Sequence, residues 1–495
     1  MSIRSALFTA LCLLLASAHA KADVAVDASF AYGGWNRLYQ PGGGTQDEKG
    51  VAFARTSDGG YVLAMEVPGG GANGGTGKRI GLYRLNRNGI AVTSGFGSSG
   101  FVLKDAWLTS VTDMTIDAQG RIVVVGSTPG QGGLADFGVI RFNADGSDDT
   151  SFAGDGGTVF SFEPGSTGYN EAPTSVLTDP DGRIVVAGNL DFGGADKRLG
   201  VVRLNTDGSI DSSFGDISDG SGGHRGTDAT FVSGQGAYAS RIVRIVDGYY
   251  LITGTSVFSS TDTDFAARIL TPDGSPWANF AGSATFPIDE PGPGNSFYDA
   301  VNDAVVVDPT TVLLVGSAGG KFAATRVRIA ANGFGNYAIL NQDLTFAGSS
   351  IPGRPYRYIG NTASSDCRSA ALRGDGRIVL VGGTSSTTIS RFADDTDGMD
   401  APAGNLWARA GLVTRLNADG SPDTTFGIGG SYPYLSPGGN GQSYYTSFER
   451  VRFDGFQPVI LGSAVDNSVA ISDSDAVIVR LESDVIFADG FQAHP

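Results

Sequence analysis

"DGRIVVAGNLDFGGADKRLGVVRLNTDGSIDSSFG", residues 181–215, holds two apolar runs of strand length, each bounded by turn chemistry. Asp181–Gly182 precedes the first run, which ends on the small residues Gly188 and Asn189. The second run carries Arg203 and enters an Asn-x-Asp-Gly turn at Asn205–Gly208. In such a turn Asn and Asp bond their own backbone and Gly supplies positive φ, so a tight hairpin forms without a metal. Phe214 follows Arg203 by eleven residues and is succeeded by Gly215.

This unit recurs along the chain, and self-similarity at a fixed period is the first thing that decides an architecture. The first run returns as "YVLAMEV" at Tyr61, "RIVVVGS" at Arg121, "YYLITGT" at Tyr249, "VLLVGSA" at Val312, "RIVLVGG" at Arg377 and "PVILGSA" at Pro458. The second run places an arginine at Arg84, Arg141, Arg203, Arg268, Arg328, Arg415 and Arg480. The aromatic follows at Phe96, Phe152, Phe214, Phe280 and Phe426; Phe346 arrives late in repeat five, and repeat seven has none. That missing element stands at the other end of the chain, where "VDASFAYGG" (26–34) matches "DDTSFAGDGG" (148–157). An N-terminal strand therefore completes the last repeat, which closes a ring without an exposed edge.

Repeats are about 60 to 66 residues apart, stretched to about 81 after Arg377, and each reads as four strands. Repeat two supplies "SVTDMTID", "RIVVVGS", "FGVIRFN" and "GGTVFSF". No segment shows a 3.6-residue period long enough for a helix. The expected fold is all-β, a seven-bladed β-propeller of four-stranded blades closed by the N-terminal strand. A β-helix is the structural alternative, but its shorter rungs need no N-terminal complement.

The stretch 181–215 resembles the delta-60 repeat of bacterial secreted proteins, with close matches in repeats two, three and six and recognisable ones in one, four and seven. The resemblance implies a propeller and an exported bacterial context, and it transfers no catalytic residues. The tail "VIFADGFQ" (485–492) is similar to a short ending of some secreted proteobacterial proteins.

Composition agrees with this architecture. The 495 residues are 41% hydrophobic and include 75 glycines, while only 17% are charged, a profile of turns and strands in a globular chain. A net charge of −17 repels nucleic-acid backbones and anionic membrane surfaces. The N-terminus reads as a signal peptide over 1–22, with Arg4 ahead of an apolar run and Ala-x-Ala sites ending at Ala20 and Ala22. The mature protein is expected to be secreted or periplasmic, monomeric, and built as a propeller over 23–484 with a tail at 485–495. No later apolar run reaches the roughly 18 residues needed to span a bilayer. Once Cys12 leaves with the signal, Cys367 stands alone and no internal disulfide is available.

In a four-stranded blade, the first-to-second and third-to-fourth hairpins share one face of the ring. Here those turns are short and alike, for example "DAQG" and "DPDG". Connections on the other face are long and dissimilar, as in 163–175, 289–299 and 350–366. Variation on a rigid scaffold is where recognition resides, so a ligand is expected on this long-loop face. Candidate contacts are Trp107, Tyr169, Tyr298, Tyr356, Tyr358, Trp407, Tyr444 and Tyr445, aromatics being favoured at recognition surfaces; packing between blades is the competing role for each.

The largest excursion, an insertion at 384–411, carries Asp394, Asp395, Asp397 and Asp400. Asp395, Asp397 and Asp400 alternate around Gly398 and could offer oxygens to Ca2+, but no Glu closes a twelve-residue loop, and a solvated acidic loop is the simpler reading. At 415–430, Asn417, Asp419 and Asp423 surround Gly420 and invite the same question, with hairpin geometry as the simpler answer. The seven arginines read as structural ion pairs or backbone clamps rather than a ring for anionic ligands. "GGGANGGTGKR" (69–79) lacks the order of a phosphate loop and is followed by a strand. Cys367 reads as a buried small hydrophobe and His224 as a loop residue, which leaves no Cys-His pair. The expected function is non-catalytic binding or scaffolding of a protein or polysaccharide, with no cofactor. The alternatives are a carbohydrate-active enzyme, glycosidase or polysaccharide lyase, using carboxylates or Tyr, and a structural surface or matrix component.

Overall fold

A computed structural model describes residues 25–38, 47–69, 78–105, 108–130, 134–162, 169–276, 282–288, 298–331, 337–346, 356–359, 365–384, 410–427, 430–434, 436–437, 443–466 and 473–482. Residues 1–24, 106–107, 385–409 and 483–495, and with them Asp394, Asp395, Asp397, Asp400, Trp107 and Trp407, lie outside the described residues.

The strands fall into seven antiparallel sheets taken in chain order. After β1 (Trp35–Leu38), blade one is β2 (Lys49–Arg55), β3 (Tyr61–Pro68), β4 (Lys78–Leu85) and β5 (Phe101–Lys104). Blade two is β6 (Asp113–Ile116), β7 (Ile122–Pro129), β8 (Ala135–Phe142) and β9 (Gly157–Phe160). Blade three is β10 (Asn170–Thr178), β11 (Ile184–Asp191), β12 (Lys197–Leu204) and β13 (Thr227–Ala229). Blade four is β14 (Gly236–Arg244), β15 (Tyr250–Ser259), β16 (Asp262–Leu270) and β17 (Ser283–Phe286). Blade five is β18 (Asp299–Asp308), β19 (Thr311–Ala318), β20 (Lys321–Ala331), β21 (Tyr337–Gln342) and β22 (Tyr356–Ile359). Blade six is β23 (Ser365–Leu372), β24 (Ile378–Thr384), β25 (Ala410–Leu416) and β26 (Ser431–Tyr434). Blade seven has the short β27 (Ser436–Pro437), then β28 (Ser443–Asp454), β29 (Gln457–Asp466) and β30 (Asp473–Arg480), and β1 is its outermost strand.

Innermost strands contact their neighbours around the ring, and β2 meets β28, which closes it. This is the seven-bladed propeller expected from the repeats. Closure follows the sequence match at 26–34: β1 pairs with β30 in the register Trp35↔Val479 to Leu38↔Ala476. Phe30 is fully buried beneath Arg480, where repeats two, three, five and six use their own aromatic.

The core is divided into wedges between successive blades. Val123, Val125, Phe137 and Val139 of blade two pack with Val176, Ile184, Val186 and Val202 of blade three, and the same arrangement recurs at the other blade interfaces. Because both faces of a blade are covered, the second strands are apolar without alternation, and Ile122 to Val125 are all buried. Each fully buried Val or Leu contributes about 1.5–3 kcal/mol by removing apolar area from water.

Every innermost strand carries a bulge near its middle. The register skips between Gly50 and Ala52, Pro173 and Ser175, Ala239 and Arg241, Val301 and Asp303, Cys367 and Ser369, and Phe448 and Arg450. In blade two, Thr112 N also donates to the Val125 carbonyl, opposite Asp113. The bulge brings the first strand so near the second that a Cβ at Gly126 would lie 1.8 Å from the Ser110 carbonyl oxygen, and one at Gly382 1.8 Å from that of Asp366. This explains the glycine that ends the apolar runs of repeats two to seven. The residue after the bulge is Ala52, Asp113, Ser175, Arg241, Asp303, Ser369 or Arg450, and those of blades two, four, five and six meet across the ring through Asp113–Arg241, Arg241–Asp303 and Ser369–Asp303 contacts. Among the described residues no helix is long and apolar enough to cross a membrane.

Candidate functional site

The repeated arginines are structural. Arg141, Arg203, Arg415 and Arg480 reach Asp149, Asp211, Asp423 and Asp27 with Nε–Oδ2 distances of 2.7, 2.7, 2.8 and 2.7 Å. Each also lies over a phenylalanine, at 4.6, 4.5, 4.6 and 4.7 Å for Phe152, Phe214, Phe426 and Phe30. The aspartate's other oxygen binds the hydroxyl and amide two residues on, as with Asp423 and Thr425. At the opening turn of the repeat, Asp419 takes Ser421 and Asn417 donates to Ser421 Oγ and the Pro422 carbonyl. The acidic residues of 415–430 are thus occupied by separate protein partners.

Two repeats depart from the expected arginine. In repeat five the equivalent residue is Arg326, not Arg328: it pairs with Leu313 as Arg141 does with Val123, binds Asp343 and lies 5.0 Å over Phe346. The third strand there runs on through Ala331 rather than turning, so its outer edge is shared between β21 and β22. The late Phe346 follows from this extension. In repeat four, "AARILTPDG" has one residue more between Arg and Gly, so Ile269 takes the core position and Arg268 donates to the Thr230 carbonyl at 2.6 Å.

These pegs make the fold acid-sensitive. Burial works against the Asp211 and Asp343 charges, but hydrogen bonds from Ser213 and Thr345 and the adjoining guanidinium groups bring both carboxyls down to about 2. A folded pKa below the unfolded value stabilises above the unfolded pKa, near 3.9, and that stability is lost as pH falls from about 4 through about 2. Each should contribute about 2 kcal/mol at neutral pH. Denaturant titrations at pH 6 and pH 2 check this, and Asp211→Asn should flatten the slope between them; an unchanged slope would contradict it.

A further set of polar groups ties neighbouring blades. Tyr250 donates to Asp179 Oδ2 at 2.7 Å across blades three and four, and Tyr61 to Asp454 Oδ2 at 3.1 Å across the closure. Burial, reinforced by those aspartates, pushes both phenols up to about 12. Glu66 accepts from Val111 N, Asn189 from Ala239 N and Ser317 from Cys367 N, each joining a second strand to the next blade's first.

Away from these structural ties, the long-loop end of the axis departs from the repeat. Innermost strands start at the long-loop face, so the bulge residue lies on that side of the residue after it. Blades one to four place Val51, Thr112, Thr174 and Ser240 there, whereas blades five to seven place Asn302, Arg368 and Glu449. Asn302 Nδ2 donates to Asp366 Oδ1 at 3.0 Å and to the Cys367 carbonyl at 2.7 Å. Ser317 Oγ donates to Asp366 Oδ1 at 2.6 Å. Arg368 Nε lies 3.2 Å from Asp366 Oδ2, while its Nη1 reaches Ser447 Oγ at 2.8 Å and also Glu449. The arc remains accessible, the Asp366 side chain being 50% exposed and that of Arg368 34%. It offers amide, guanidinium, hydroxyl and carboxylate groups in one rim, a set suited to the hydroxyls of a polar ligand. Both carboxylates bind a single guanidinium.

Below this rim, five charged residues meet at the ring centre. Arg241 Nη1 is 2.6 Å from Asp113 Oδ2, and its Nε is 3.4 Å from Asp303 Oδ1. Burial opposes the Asp303 charge, but Arg241, Arg452 and Arg450 hold its carboxyl below the usual range. Burial and the nearby Arg241 bring Arg452 down to about 10.

Of the aromatic candidates, Tyr169 packs edge-on against Phe192 at 4.6 Å, beside a cleft of about 480 Å³ lined by Asp196, Arg198 and Asp228. Arg198 spans that cleft, its Nη1 2.6 Å from Asp228 and its Nε 2.8 Å from Asp196. Tyr298 is 63% exposed at the entry to blade five and no contact joins it to Tyr169 among the described residues. Tyr356 and Tyr358 lie in β22, and Tyr444 and Tyr445 in β28. Cys367 is fully buried in blade six, which pushes its thiol well above the usual value, and His224 belongs to blade three, so these two do not meet. Lys78 and Arg79 of the glycine-rich loop open β4 and face Glu66 and Asp105. Sequence reasoning missed Asn302, Asp366, Arg368 and Glu449. Aligning the first strands of the repeats shows the break, because polar or charged residues there replace small ones.

The model of the family described as "Domain of unknown function (DUF5122) beta-propeller" matches residues 119–152, 180–214 and 405–426, which are the peg-bearing segments of blades two, three and six. These segments are similar to a propeller repeat family. No curated protein matches the chain. Solved structures that match include a protein of unknown function from Dyadobacter fermentans DSM 18053, 12% identical, covering 91% of this chain and 98% of that one at TM-score 0.38. A glucose dehydrogenase is 13% identical over 90% and 99% of the two chains at TM-score 0.37. The plexin A4 extracellular region is 10% identical over 88% and 46% at TM-score 0.41. Likeness at this level carries no argument about function.

Proposed function

We propose that the chain is an exported, non-catalytic binding propeller of the delta-60 type, and that its ligand meets the long-loop end of the axis. One observation supports this most: the repeat is broken where Asn302, Asp366, Arg368, Ser447 and Glu449 form a connected, accessible rim on blades five to seven. Positions that serve only the fold repeat from blade to blade, as the arginine pegs do, whereas these do not. Planar amide, guanidinium and carboxylate groups among hydroxyls favour a polysaccharide over an apolar protein surface. Residues 1–22 are read as the export signal.

Glycan-array binding of the mature protein tests the proposal. A retained glycan class is expected, with at least tenfold weaker binding in Arg368→Ala and Glu449→Gln; equal binding by both variants, or no retained glycan, would sink it. The carbohydrate-active alternative rests on the two carboxylates of the same rim, Asp366 and Glu449. Product release from a polysaccharide panel, lost in Glu449→Gln, would replace the binding reading by that one.

A further inference from the structure

At the ring centre three arginines meet two aspartates, and among the described residues the carboxylates make their ion-pair contacts with one of the three. Asp113 and Asp303 both face Arg241. Protein donors also occupy these carboxylates: Val176 N on Asp113 Oδ2, Ser369 Oγ and Ala370 N on Asp303 Oδ2, and Ala304 N on Asp303 Oδ1. Arg450 and Arg452, two residues apart on β28, are left with main-chain acceptors. Arg450 Nη1 donates to the Glu449 carbonyl at 3.0 Å and Arg452 Nη1 to the Val451 carbonyl at 2.7 Å. Arg450 Nε is buried without an acceptor among the described residues. Each guanidinium has five N–H donors, so most have no protein acceptor among the described residues.

We propose that the propeller axis binds a small tetrahedral oxyanion, of the phosphate or sulfate class, between Arg450 and Arg452 with Arg241 alongside. The half-buried state of both arginines leaves them reachable by solvent within the ring. A planar fork of parallel N–H groups matches two oxygens of an oxyanion better than it matches a spherical halide. Attraction is strengthened where water is scarce, and an anion would supply the charge that the two aspartates cannot. The net charge of −17 disfavours anions over the rest of the surface, so a saturable response reports this centre. The site does not depend on what the outer rim binds.

Isothermal titration of the mature protein with inorganic phosphate and with sulfate, at ionic strength fixed by chloride, tests it. Saturable one-to-one binding is expected, with at least tenfold loss in Arg450→Gln and in Arg452→Gln and none in Arg244→Gln, an arginine outside the central group. Arg450→Lys and Arg452→Lys, which keep charge but lose the fork, should also weaken binding and serve if the glutamine variants do not fold. Absence of saturable binding to the wild-type protein overturns the proposal, as does equal affinity in all variants.

Discussion

A chain lacking residues 25–38 is expected to lose at least about 5 kcal/mol of stability and to self-associate. Those residues supply β1, the outer partner of β30. They also supply Phe30, fully buried against Tyr61 of blade one, and Asp27, the counter-ion of the buried Arg480. Truncating a buried phenylalanine costs about 3–5 kcal/mol, and removing one partner of a buried ion pair costs a similar amount. The deletion would further expose the hydrogen-bonding edge of β30, a template for pairing with another copy. Urea denaturation and sedimentation velocity measure both effects. A monomer of unchanged midpoint would refute closure through this strand. Phe30→Ala isolates the packing part.

Replacing Asp149 with alanine should cost about 3–5 kcal/mol. Arg141, with a side chain only 1% exposed, would keep its charge and lose its counter-ion. Its remaining contacts, the Phe152 face at 4.6 Å and Ser151 Oγ at 3.3 Å, cannot neutralise it. The double variant Arg141→Met, Asp149→Leu removes both charges and should recover much of the loss, because an apolar pair of similar volume avoids desolvating two ions. Equilibrium denaturation of the single and double variants decides between them. A single variant within about 0.5 kcal/mol of wild type, the range of neutral surface changes, would show that the peg is ornamental.

The pegs were legible in the sequence in repeats two, three, six and seven. Arg141, Arg203, Arg415 and Arg480 stand where the strand-and-turn pattern places them, each with its aspartate and phenylalanine. Arg328 and Arg268 misled for a common reason. A strand's side chains alternate faces, so a shift of one residue in repeat four, or a choice between two arginines two apart in repeat five, changes what the guanidinium meets. Only pairing partners decide that, and Leu313 opposite Arg326 does so in repeat five.

The rim was less legible, because it is made of single residues from three first strands that lie far apart in the chain. Asn302, Arg368 and Glu449 are separated by more than sixty residues at each step and become neighbours only when the ring closes. Of the aromatics singled out on long loops, Tyr169 is packed on Phe192 and Tyr298 is 63% exposed at the entry to blade five.

By itself, then, the sequence determined the number of blades, their four-strand composition and the closing role of residues 26–34, because those rest on local patterning repeated seven times. The tertiary structure alone decided which polar residues share the axis. A bulge in each innermost strand sets one side chain toward the centre, and the summed charge there depends on which residue of each blade happens to follow it.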